Sequence, residues 1–323
     1  MSIDKSYLIT GATGFIGFEF LKHLIKFVPE KNITCIVRKT SNYERLLALD
    51  VKVFIGDIQK PTEFADELLD SNYVYHFAAN SSFKNNGNYY NNNILATEGI
   101  VNILKDSRKL ILFFFASTIG AVDRKRMMKK FIPLNEQSSE YPRSNYGKSK
   151  LKSEKLVIAS NLPYIILRIT WAYGPGMRLN SHISTFIADV NKKKFYTNIM
   201  YPGKVSLIYI SDLVSGIWYL TNRDGAENNI YFISDSKPVS LGKIFKQIQL
   251  DLHSESKMIA LPWWIIKFIK LLSPLLPFTI SVLVNDSYVC SSKKITSIGF
   301  ESATNYKMGI NNTIKWIQDQ KIC

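Results

Sequence analysis

Cysteine is scarce in this sequence. The 323 residues hold three, Cys35, Cys290 and Cys323. An odd and widely spaced set excludes a disulfide framework and a zinc site, and it predicts a reducing compartment. Histidine is nearly as rare, with four, and no metal site is expected. The opening "MSIDKSYLIT" lacks a basic segment followed by an apolar core. A secretory leader is therefore not expected, and a cytoplasmic protein is. There is no internal repeat, low-complexity segment or long linker.

Long uninterrupted apolar runs are also missing. The most apolar stretch, 262–284, is broken by Pro262, Lys267, Lys270, Pro274 and Pro277. A spanning helix needs about 20 apolar residues, so this stretch is not one. Two short helices that wall a substrate pocket are the first reading. A peripheral contact, with tryptophans at a bilayer interface and lysines toward anionic lipid, is the second. Negative charge is in deficit: 26 acidic residues face 41 basic ones, a net charge of +15. That balance favours anionic ligands, nucleic acid or an anionic membrane. The basic clusters "RKRMMKK" (124–130) and "KKK" (192–194) lack the interleaved aromatics of a nucleic-acid module. They read as a solvated loop and a solvated helix end.

With 46% hydrophobic and 21% charged residues, the chain is of ordinary globular type. From "SYLIT" to "PYIILRIT", short strands rich in Val, Ile and Phe alternate with helix-like segments. Such alternation predicts an α/β fold, a parallel sheet covered on both faces and doubly wound by right-handed crossovers. After about residue 175 the pattern loosens into turns and shorter elements. The expected division is a dinucleotide-binding domain over 1–175 and a smaller, mainly substrate-binding C-terminal lobe over 176–323, with some segments returning to the sheet.

The chemistry begins at "LITGATGFIG". A strand runs into Gly11, Gly14 and Gly17, and a helix follows. Gly11 permits a tight turn, Gly14 lets a pyrophosphate reach the backbone, and Gly17 lets helix and strand pack closely. The helix N-terminus then offers free N–H groups to phosphates. Thr13, Phe15 and Ile16 belong to the same cofactor-binding stretch. At the end of the next strand, where an NAD site carries an acid for the ribose hydroxyl, stand Arg38 and Lys39. Their charge suits a 2′-phosphate, so NADP is expected in preference to NAD. Asp57 and Ile58 of "GDI" are placed for the adenine, and Ala78 and Ala79 of "HFAAN" for the nicotinamide half. His76, inside the same apolar strand, reads as a satisfied core residue.

Ser117 and Thr118 end a buried strand, "FFFAST", at the edge where α/β sheets bind ligands. Tyr146 and Lys150, four apart in "SNYGKSKLK", leave one face of a predicted helix. An ammonium one turn away favours the phenolate, which makes Tyr146 a candidate proton donor and acceptor.

Together these motifs resemble the extended short-chain dehydrogenase/reductase family of NAD(P)-dependent epimerases, dehydratases and reductases. The resemblance runs over nearly the whole chain, through "TGATGFIG", "GDI", "HFAA", "AST", "YGKSKLKSEKLV", "LRITWAYGPG" and "LIYISDLVSGI". It implies a Rossmann domain with a C-terminal substrate lobe. The implied catalytic group is Thr118 (or Ser117), Tyr146 and Lys150. Asn93 falls beside the implied active site, and His182 and Lys204 on the substrate side. A homodimer through the long sheet-flanking helices is implied as well.

Departures from the family pattern narrow the reaction. Ile119 and Gly120 replace the Asp-Glu pair of sugar-nucleotide dehydratases, and Ile119 also stands where fucose-nucleotide epimerase-reductases carry a cysteine. The customary diphosphate-clamping arginines before "YISD" and before "SSKK" are missing. The leading expectation is redox or epimerisation at a secondary alcohol or ketone, on a nucleotide sugar. A hydroxysteroid- or lipid-type alcohol dehydrogenase, supported by Trp263, Trp264 and the apolar run, is the alternative. A non-catalytic NADP-sensing module is the third reading.

Overall fold

The structure is a computed structural model that describes residues 5–81, 88–123, 132–235, 237–254, 256–272, 282–286 and 288–320. The basic cluster 124–130, the second half of the apolar run (273–281) and Cys323 lie outside the described residues.

The chain forms two compact units. The first comprises Met1–Val122, Pro142–Arg168 and Val214–Tyr231. Its frame is a seven-stranded sheet. The strands are β1 (Tyr7–Thr10), β2 (Ile33–Val37), β3 (Lys52–Ile55), β4 (Tyr73–His76), β5 (Leu112–Thr118), β6 (Tyr164–Ile169) and Asn229–Ile233. Their spatial order is β3-β2-β1-β4-β5-β6 and then Asn229–Ile233. The ladders β3–β2, β2–β1, β1–β4 and β4–β5 are parallel. This is the Rossmann-type α/β fold that the alternation predicts, with the strand order reversing beside β1. The central strands read as apolar runs because helices cover them on both faces. Phe64, Leu68, Ile100, Leu104, Phe113 and Val157 sit in one such layer, each buried.

The helices that matter for the site are α1 (Phe15–Leu24), α2 (Glu44–Leu47), α3 (Ala65–Leu69), α4 (Ala96–Leu104) and α5 (Asn145–Ala159). Two depart from a regular α-helix. In "NYERLLAL" only the single turn α2 forms. The segment leading into α4 begins as a π-helical turn, Tyr90–Leu95, which turns Asn93 inward to 1% exposure.

The second unit comprises Asp123–Tyr141, Ile169–Leu213 and Phe232–Cys323. It holds β7 (Trp171–Tyr173), which pairs in parallel with Leu207–Tyr209. It also holds α6 (His182–Asn191), the short pairs Lys204–Val205 with Val239–Ser240 and Ile199–Met200 with Ile259–Ala260, and α8 (Leu241–Asp251). Between Leu207–Tyr209 and Asn229–Ile233 runs α7 (Ile210–Thr221). In the apolar run, the described helix is α9 (Trp263–Leu272), and none of its residues is buried.

Candidate active site

The glycine turn is built by exclusion of side chains. Gly11 has φ +75°, and a Cβ there would lie 2.6 Å from the Ala78 backbone nitrogen. A Cβ on Gly17 would overlap the Gly11 carbonyl oxygen. The turn closes through a hydrogen bond from Gly14 N to Gly11 O at 2.9 Å. Gly14 caps α1 without a side-chain hydrogen bond, and no acid occupies the first helical turn. The N–H groups at this helix start therefore keep their capacity for an anion, as a dinucleotide's diphosphate requires.

Beside this turn lies an open cleft of about 480 Å³, lined by Thr13, Ser41, Asn42, Glu44 and Arg45. The Arg45 guanidinium donates to the Thr13 carbonyl at 2.5 Å and lies 3.8 Å from the centre of the Phe18 ring. Arg38 and Lys39 at the end of β2 are exposed, and Arg38 O accepts from Ser41 N at 2.9 Å. Arg45 and Ser41 are residues the sequence motifs did not single out. Their signal is a short cationic and hydroxyl-bearing segment just after the strand that carries Arg38.

On the far side of Gly56, Asp57 accepts from Gln59 N at 3.0 Å. Its own N–H donates to Glu63 at 3.2 Å. Ile58 packs against the apolar layer. At the end of β4, His76 is fully buried between Thr10, at 2.7 Å from Nδ1, and Thr97, at 3.2 Å from Nε2. Burial lowers its pKa to about 3, so it stays neutral. Ala78 and Ala79 follow in a partly accessible loop.

Asn93 fixes that loop. Its Oδ1 accepts from Asn80 N at 2.7 Å, and its Nδ2 donates to Asn80 O at 3.1 Å and to Ser149 Oγ at 2.9 Å. Its carbonyl accepts from Thr97 and Ser153 at 2.6 Å and 3.0 Å. The π-helical turn thus ties the β4 loop to α5.

The start of α5 is set by Ser144, whose side chain accepts from Gly147 N at 2.9 Å. Gly147 lies so close to the Gly120 carbonyl that a Cβ would overlap it. The tight approach brings the end of β5 alongside the first turn of α5. Tyr146 and Thr118 are partly exposed there, and Tyr89 lies with its ring centre 6.5 Å from that of Tyr146. Thr118 Oγ1 accepts from Gly120 N at 3.2 Å.

Lys150 is only 2% exposed. Burial lowers its pKa to about 7, against a smaller upward pull from Glu154. Its ammonium nitrogen lies 4.1 Å from the centre of the Phe115 ring. Below it, Glu154 and Arg168 form a buried pair, 2.7 Å apart at the closest atoms. Ser117 Oγ donates to the same carboxylate. The two neighbouring hydroxyls thus differ: Ser117 is directed inward to Glu154, while Thr118 stays on the accessible side.

His182 and Lys204 belong to the second unit. His182 begins α6, which Ser181 caps, and it stacks on Trp171 with ring centres 4.2 Å apart. Burial lowers its pKa. Lys204 is exposed, and its backbone N–H donates to Asp286 at 3.0 Å.

Comparison with known proteins turns this arrangement into a family assignment. The profile of the NAD dependent epimerase/dehydratase family matches residues 7–234. The chain belongs to this family. Family membership makes it an NAD-dependent enzyme of the epimerase/dehydratase type. A UDP-glucose 4-epimerase of Vibrio cholerae is 26% identical over 274 residues, covering 82% of this chain and 81% of the relative. Among solved structures, the UDP-glucuronic acid 4-epimerase of Bacillus cereus in complex with UDP-glucuronic acid and NAD superposes with a TM-score of 0.78. It shares 20% identity and the match covers 98% of this chain and 99% of that one. The dTDP-glucose 4,6-dehydratase of Bacillus anthracis in complex with NAD gives 0.78 at 18% identity, over 98% of both chains. At such identities these two structures establish the fold.

Proposed function

We propose that this epimerase/dehydratase-family enzyme carries out NADP-dependent oxidoreduction or epimerisation at a secondary alcohol or ketone of a nucleotide sugar. The observation that carries the reading is the accessible Tyr146 and Thr118 beside a buried Lys150, on the same unit as the glycine turn. The relatives named above act on or bind UDP- and dTDP-sugars, which favours a nucleotide sugar over a steroid-type alcohol.

The cofactor fits the residues present. Gly11, Thr13, Gly14, Phe15, Ile16 and Gly17 would hold the diphosphate, Asp57 and Ile58 the adenine, and Ala78 and Ala79 the nicotinamide ribose. When bound, the nicotinamide supplies a hydride acceptor or donor. Arg38 and Arg45 would meet a ribose 2′-phosphate beside the cleft, and bidentate guanidinium recognition of phosphate favours NADP over NAD.

Tyr146 is the proton donor and acceptor at the substrate oxygen. Lys150, whose pKa burial lowers, is in its protonated form the cation that stabilises the Tyr146 phenolate and binds the ribose hydroxyls. Thr118 donates a hydrogen bond to the same substrate oxygen. Ser117 does so less readily, because its proton is engaged by Glu154. Asn93 keeps the β4 loop in register with α5. Cofactor binding is assigned to the first unit and substrate selection to the second, with His182 and Lys204 among the selecting residues. A homodimer formed through α4 and α5 completes the proposal.

A substrate panel tests the reading. Nucleotide sugars should be turned over, faster with NADP than with NAD in redox assays. Turnover of a lipid or steroid alcohol with no response to any nucleotide sugar would overturn it.

A further inference from the structure

Helix α9 carries four large apolar side chains into solvent. Trp263 is 73% exposed, Trp264 60%, Phe268 59% and Leu271 75%. At about 100° per residue, Trp264, Phe268 and Leu271 share an arc of roughly 60°. Trp263 and Lys267 border that arc on one side. Ile265, Ile266, Ile269 and Leu272, on the remaining face, are half-buried. The helix is thus apolar on two faces, one half-buried and one left in water. A contiguous exposed apolar patch of this kind marks an interaction surface.

The charge around the patch says what covers it. From Ser256 to Asn285 the sequence has no aspartate or glutamate and three lysines, Lys257, Lys267 and Lys270. The Lys267 ammonium lies 6.0 Å from the Trp263 ring centre, at the border of the apolar arc. Tryptophan together with lysine is the composition of segments that settle at a bilayer interface. Among the described residues, no helix is long and apolar enough to cross a membrane. A helix of ten residues instead suits lying in the plane of the interface. A second copy of this chain fits the face less well: a self-complementary contact would set lysine against lysine with no carboxylate between them.

From these observations we infer that the outer face of α9 docks on an anionic lipid bilayer. Trp263, Trp264, Phe268 and Leu271 enter the boundary between headgroups and acyl chains, while Lys257, Lys267 and Lys270 face lipid phosphates. This holds whichever substrate the enzyme turns over.

The test is flotation of the full chain with vesicles of phosphatidylcholine, with and without a quarter phosphatidylglycerol. Binding is expected to the anionic vesicles at low salt, to fall as salt rises, and to come with a blue shift of tryptophan fluorescence. Lys267→Gln should weaken it about fivefold, the effect of one basic residue near a charged surface. Trp264→Ser combined with Phe268→Ser should weaken it at least tenfold while leaving the thermal unfolding midpoint unchanged. No binding to anionic vesicles, or equal binding by the double variant, would overturn the inference. So would a lipid-free dimer that the double variant dissociates, since the occupant would then be a second copy.

Discussion

In the first unit, Glu154 receives both Ser117 and Arg168, and Asn93 is hydrogen-bonded through its side chain and its carbonyl. In the second unit, Asp235 leaves its Oδ2 and Tyr173 its hydroxyl buried with no hydrogen-bond partner among the described residues. The first arrangement holds side chains in one geometry, as the acid–base chemistry proposed for Tyr146 and Lys150 requires. The second leaves a carboxyl whose ionisation is costly: burial, reinforced by Asp212, raises the Asp235 pKa to about 7. The two units should therefore answer opposite in sign when a buried acid is removed.

The largest stability effect is expected at Glu154. Glu154→Leu leaves the Arg168 cation buried without its carboxylate, which should cost about 3–5 kcal/mol. Denaturant unfolding measures it, and a change below about 1 kcal/mol would dissolve the contrast between the units.

Next come the charges at the proposed nucleotide site. Arg38→Asp should weaken NADP at least tenfold while moving NAD by less than about threefold, because a phosphate contact to a cation is lost and a repulsion gained. Arg45→Ala should act in the same direction, more weakly. Equal affinity of the unaltered protein for both cofactors would remove the NADP preference.

Lys150 gives a pH-dependent signature. Its pKa of about 7 lies below the ordinary lysine value of 10.5. Between these values the unfolded chain holds a proton that the folded chain lacks, so this group makes stability rise with pH across that window. An anionic dinucleotide beside Lys150 should draw the proton back. Calorimetry at pH 8 in buffers of different ionisation enthalpy should therefore show proton uptake on cofactor binding, and Lys150→Met should abolish it. Uptake unchanged in that variant would place the proton elsewhere.

The smallest effect is expected at Asp235. Its folded pKa is raised, so below about pH 7 the folded chain holds a proton that the unfolded chain loses above pH 3.8. Stability from this group therefore falls as pH rises through that window. Asp235→Asn should raise the unfolding midpoint at pH 8 more than at pH 5. A lower midpoint at pH 8 would show that the carboxylate is satisfied after all.

The sheet and the glycine turn were legible because both rest on short-range rules. Strand and helix periodicities alternate, and Gly11 and Gly17 occur where backbone must meet backbone. That Tyr146 and Lys150 share one helix, a turn apart, was legible for the same reason. What the sequence did not disclose depends on partners far along the chain. Ser117 and Thr118 look equivalent until Glu154, 37 residues on, takes one of them. The π-helical turn at Tyr90–Leu95 depends on Asn93 finding Asn80 and Ser149. Arg45 becomes part of the cleft only when α2 folds over Thr13 and Phe18. In the run after Pro262, α9 keeps its tryptophans in solvent, an exposure that apolar composition alone does not announce.

Whether Tyr146 moves the substrate proton is decided by Tyr146→Phe. Its turnover of the responsive nucleotide sugar and its cofactor affinity should be measured on the same preparation. Turnover should fall about a hundredfold or more, with cofactor affinity changed by less than about threefold. Near-normal turnover in that variant would contradict that role.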